Sequence, residues 1–189
     1  MQIIVDTLLA KIKKYNPGMN EAQLKTRKYG LEVLIGELSK MLIYLIVFSL
    51  FSLAGYFLLA TLIFGTIRLA TGGYHAKSYI SCLIVTFIIF AAIIFTGQYI
   101  EPTILEKSIM LVLSLVITIL FAPVKHKNTT RKNMAKAGNF KIKSILFVLF
   151  WSGVTYFLKG AWSVTAVFTI FAEALMQPLG KLFNPMGKS

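Results

Sequence analysis

Apolar residues gather in six long runs, from about Tyr29 through Phe51, Tyr56 to Ala70, Ile80 to Gln98, Ile109 to Ala122, Ile142 to Phe157 and Trp162 to Leu179. Continuous runs of this kind predict membrane-crossing helices, since in lipid a helix satisfies its backbone donors and acceptors within itself. Several fall short of the roughly 20 residues a straight span needs, so tilt or local thinning is expected. Four spans with two re-entrant segments fit the same hydropathy. Ahead of the runs, residues 2–15 place Ile4, Leu8, Ile12 and Tyr15 on one helical face, with Val5 and Leu9 beside them, and lysines largely elsewhere. That pattern predicts an amphipathic interfacial helix. Asn16-Pro17-Gly18 breaks it, and Asn20 followed by Gln23 reads as the cap of the next helix. Gly55 and Lys159-Gly160 mark tight turns, and Pro123 ends the fourth run.

The architecture expected is therefore all-α: about six transmembrane helices behind an N-terminal amphipathic helix. One domain covers residues 1–189, with a basic cytoplasmic segment over 1–28, membrane helices over 29–180 and a cytoplasmic tail over 181–189. Composition agrees, since 57% of the 189 residues are hydrophobic and 14% charged, with a mean hydropathy of +0.74. The formal charge of +13 falls between the apolar runs rather than along one soluble face. Anionic lipid is thus the expected partner, and nucleic acid is not. Lys/Arg residues cluster before the first run, at Arg68 and Lys77, over 125–141 and at Lys181 and Lys188, whereas the intervening loops hold Lys107 and Lys159. By the positive-inside rule both termini and the 68–82 stretch face the cytoplasm of a multi-pass cell-membrane protein. The first residues, with Asp6 early and Lys11, Lys13 and Lys14 after it, do not read as a cleavable signal peptide.

Chemistry concentrates in Arg68-Leu-Ala-Thr-Gly-Gly-Tyr-His75-Ala-Lys77-Ser-Tyr-Ile-Ser-Cys82, a polar, glycine-broken stretch between two apolar runs that holds the single cysteine. A lone cysteine in an apolar chain is most often a packing residue. A thiolate is nonetheless a strong nucleophile and histidine its natural base, so His75 and Cys82 form a candidate catalytic pair. In one continuous helix the two would stand about 10.5 Å apart along the axis, beyond hydrogen-bond reach. A helix starting near Ser78, with the glycines letting His75 fold back over its first turn, brings them together and puts Cys82 about one turn inside. Gly72 and Gly73 then serve backbone geometry. Glu37 is a further candidate because ionisable groups within a span are costly, although Lys40 at i+3 offers it a helical ion pair. One cysteine and two histidines make a structural zinc site improbable, and no cofactor is implied.

Arg68, Gly72, Gly73, His75 and Cys82, set in a polybasic membrane protein of this size, resemble the AgrB (accessory gene regulator B) family, and the resemblance extends to the Ala122-Pro123 loop with its run of lysines. It implies a membrane cysteine endopeptidase that matures a quorum-sensing propeptide. Cys82 is then the nucleophile and His75 general base and later acid. The Cys82 thiolate forms a thioester, the C-terminal tail departs, and a propeptide cysteine closes a thiolactone, or a serine a lactone. Arg68 becomes a carboxylate clamp for acidic propeptide groups, or else an interfacial arginine that snorkels. Lys77 and the basic loop become topology signals or attract an acidic tail. Partners so implied are an AgrD-like propeptide and anionic lipid, with a homodimer as a further candidate. Two other classes stay open: an exporter or channel with Arg68, Glu37 and Glu173 along its path, and a non-catalytic scaffold acting through the basic loop.

Overall fold

The computed structural model describes residues 2–16, 18–72, 79–124 and 137–183. Among these the chain is helical: α1 Gln2–Tyr15, α2 Glu21–Leu50, α3 Ala54–Thr71, α4 Tyr79–Tyr99, α5 Ile104–Phe121, α6 Ala137–Phe157 and α7 Gly160–Phe183. Six helices, α2 to α7, are long and apolar enough to cross a membrane. Their boundaries run wider than the apolar runs. Thr103 and Glu106 form a capping box that starts α5 at Ile104, five residues ahead of the fourth apolar run's start at Ile109. Helix α6 begins at Ala137 and carries Lys141 and Lys143 in its early turns.

Two compact units divide the chain, residues 1–50 and 51–189. In the first, α1 packs on α2. Asp6 pairs with Lys28 across them at 2.9 Å. The expected cap is present, since Asn20 Oδ1 accepts from the Gln23 N–H at 2.9 Å and Gln23 Oε1 accepts from the Asn20 N–H at 3.2 Å.

The second unit is built around α7, which packs against α3, α4, α5 and α6. Ile63 and Ile67 of α3, Leu111 of α5, Val148 and Trp151 of α6, and Ala166, Val167 and Ile170 of α7 form its core. Apolar burial gains little against lipid, so close packing and polar cross-links have to specify the bundle. Trp151 Nε1 donates to Thr66 Oγ1 at 2.8 Å, tying α6 to α3. Gly97 lets α4 lie against α7, since a Cβ there would sit 2.5 Å from Thr165 Oγ1. Gly55 lies in the first turn of α3 rather than in the turn expected there, and its missing Cβ makes room for the Trp162 ring. The turn itself falls at Ser52, whose φ is 59°.

Candidate active site

The last turn of α3 carries Arg68, whose guanidinium carbon lies 5.2 Å from the centre of the Phe64 ring one turn earlier. A cation at a helix C-terminus is favoured by the helix dipole and, over an aromatic face, by the ring quadrupole. Gly72 ends the helix with its N–H donating to the Arg68 carbonyl at 2.9 Å. Its φ of 71° and ψ of −152° lie in a region open to glycine alone, and a Cβ there would meet the Val124 carbonyl oxygen at 2.7 Å. The Val124 N–H in turn donates to the Thr71 carbonyl at 2.7 Å, so the segment leaving α5 is strapped to the end of α3.

Helix α4 starts at Tyr79, one residue after the expected cap, and Cys82 is its fourth residue. The thiol is therefore about one turn inside the helix, near the free N–H groups that make a helix start electropositive. Cys82 is half-buried and not in a disulfide. Its Sγ lies 3.9 Å from Thr86 Oγ1, one turn along the same face. Cys82, Arg68, Phe64, Val85, Thr86, Ile89 and Met176 line one small crevice, open to the outside. The crevice is mostly apolar, with a nucleophile, a hydroxyl and a fixed cation as its polar groups.

Arg68 and Cys82, singled out in the sequence, thus share one crevice, and Gly72 ends the helix that carries Arg68. His75, Gly73 and Lys77 lie outside the described residues. Glu37 belongs to the first unit, where it pairs with Lys40 as the spacing suggested. Behind the crevice lies a polar cluster that the sequence reading did not assemble. Glu173 and Gln177 of α7, Thr118 of α5 and Thr71 of α3 are all fully buried. Thr71 Oγ1 donates to Glu173 Oε1 at 2.6 Å, and Gln177 Nε2 donates to Glu173 Oε2 at 3.0 Å and to Thr118 Oγ1 at 3.2 Å. An acid and an amide at i and i+4 inside an apolar run were the available signal. Among the described residues no group of three or more His, Cys, Asp or Glu is placed to hold a metal.

These features define a multi-pass, all-helical membrane protein with a half-buried cysteine and an arginine facing one crevice at a helix end. The chain belongs to the accessory gene regulator B (AgrB) family, whose family model matches residues 5–177. It is also similar to an AgrB-like protein of Clostridium beijerinckii, with 33% identity over 125 residues that cover 66% of this chain and 61% of that protein. The chain therefore spans about three-fifths of that relative's length. No solved structure matches.

Proposed function

We propose that this protein is a membrane cysteine endopeptidase that trims a quorum-sensing propeptide and closes it into a ring. The reading rests first on family membership, which implies a role in quorum-sensing peptide processing. The observation that carries the chemistry is the shared crevice of Cys82 and Arg68 at the start of α4. In this mechanism the Cys82 thiolate attacks the carbonyl carbon of the bond before the C-terminal tail, with His75 having taken the thiol proton. The C–N bond breaks as His75 returns that proton to the departing amine, leaving an acyl thioester on Cys82. A thiol within the propeptide, its proton passing to His75, then attacks the thioester, forming a thiolactone and releasing Cys82 as thiolate. Exchange of one thioester for another is close to neutral in energy, so ring closure competes well if water is kept away and the substrate thiol is near. The apolar walls Phe64, Val85, Ile89 and Met176 suit that requirement.

Arg68 serves in this scheme as the carboxylate clamp for the propeptide. By the positive-inside rule the end of the bundle that holds Arg68 and leads into the basic 125–136 stretch faces the cytoplasm, where a newly made peptide arrives. Nothing specific favours the transport reading, since Glu173 is fully buried among its hydrogen-bond partners. The test is to incubate the protein in liposomes with a candidate propeptide and follow it by mass spectrometry. A Cys82-linked acyl adduct together with released tail is expected. Tail release that persists in Cys82→Ala would overturn the mechanism.

A further inference from the structure

Building on that reading, we propose that Glu173, acting through the Thr71 hydroxyl, is a positioning residue that holds the last turn of α3, and with it Arg68, at the Cys82 crevice. A buried acid inside a membrane bundle is costly and is retained where it does something that an apolar residue cannot. Glu173 is fully buried, yet the partners that hold it are neutral: the Thr71 hydroxyl and the Gln177 amide. The Thr71 hydroxyl has one proton to give, and 2.6 Å to Glu173 Oε1 is shorter than its 3.1 Å to the Ile67 carbonyl or 3.0 Å to the Gly72 carbonyl. Without the carboxylate that proton returns to its own backbone, and the link between α7 and the end of α3 is lost.

Thr71 is well placed to pass on such a link. Its carbonyl accepts from Val124, and Arg68, one turn before Gly72, accepts the capping N–H. On the other helix Met176, three residues after Glu173, is itself a wall of the crevice. Glu173 and Met176 therefore fix α7 to both sides of the site, one through the polar cluster and one through the apolar wall. Fixing Arg68 before substrate arrives reduces the ordering cost of clamping a carboxylate.

The test uses the single cysteine as its own probe. In the purified, reconstituted chain, the alkylation rate of Cys82 is measured with iodoacetate and with iodoacetamide at one pH. Both reagents react with the thiolate, so thiolate fraction cancels in their ratio, and what remains is the local field acting on the anionic reagent. Arg68→Ala should lower the iodoacetate-to-iodoacetamide ratio by about three- to tenfold. Glu173→Ala and Thr71→Val should lower it in the same direction by about two- to fivefold, with unchanged iodoacetamide rates. Glu173→Gln should not lower it, because its oxygen still accepts from Thr71, and once the Gln177 amide turns over its N–H meets Gln177 Oε1, an oxygen with no partner among the described residues. A general loss of structure would change the melting temperature and both reagents together, and the Gln variant would not correct it. If Glu173→Ala fails to fold, Thr71→Val decides alone, since it keeps the shape of threonine. The proposal falls if Thr71→Val keeps the wild-type ratio, or if Arg68→Ala does. Tail release by Cys82→Ala, measured in parallel, would overturn the peptidase reading whatever the ratios show.

Discussion

Replacing Gly72 by alanine tests whether the end of α3 is held as tightly as its geometry implies. The native φ of 71° and ψ of −152° put the residue where an L side chain is strained, at a cost of roughly 1–3 kcal/mol. The new Cβ would also sit 2.7 Å from the Val124 carbonyl oxygen, a backbone atom that cannot swing aside as a flexible side chain would. Relief requires the strap to move, which endangers the Val124 to Thr71 hydrogen bond, a further 0.5–1.5 kcal/mol or about that. The sum is about 1.5–4.5 kcal/mol. For a chain of this size, each kcal/mol lowers the melting temperature by about 2–4 °C, so Gly72→Ala should melt roughly 3–18 °C lower. Thermal unfolding in detergent, followed by circular dichroism, reads this directly. A shift below about 2 °C would refute the assigned backbone geometry.

Three further outcomes follow from the same site and its scaffold. Cys82→Ser should fold and insert normally while losing tail release, because a hydroxyl is far less ionised than a thiol at neutral pH; comparison of helix content with peptide cleavage checks it. His75→Ala should slow alkylation of Cys82 by iodoacetamide near neutral pH; an unchanged rate would remove His75 as the base. Gly97→Ala should destabilise by about 1–3 kcal/mol, since its Cβ would press on Thr165 Oγ1 at 2.5 Å, and equilibrium unfolding measures it.

The spans were legible because lipid leaves backbone little choice: apolar runs with polar breaks had to be helices. Their ends were less so. Hydropathy starts the fourth run at Ile109, whereas Glu106, ahead of it, caps α5 by reaching back to Thr103. Hydropathy weighs a glutamate as polar wherever it stands and is blind to the cap. Within the site, Arg68, Gly72 and Cys82 were readable from their local chemistry, as each is a rare residue type in an apolar setting. Thr86 was missed although it stands one turn from Cys82, because a threonine inside a span is unremarkable until its neighbour is a nucleophile. Thr71, Thr118 and Gln177 could not be grouped with Glu173 from the sequence, since Thr71 and Glu173 are joined across 102 positions of chain.

The arrangement of α3 and α4 suits a helix-ended crevice to the proposed reaction. Arg68 sits in the last turn of α3 and Cys82 in the first turn of α4, so the negative end of one dipole faces a cation and the positive end of the other a developing thiolate. The Arg68 charge is thus partly balanced by backbone before any substrate binds. In bulk water such terms are worth a few tenths of a kcal/mol to about 1, but they grow as the surroundings become less polar. Propeptide entering the crevice would displace water from between Phe64, Val85, Ile89 and Met176, strengthening both interactions as the acyl group arrives. Binding of the substrate and activation of the nucleophile would then be coupled. Water would remain a poor competitor for the thioester, and ring closure by the tethered thiol would be the favoured exit.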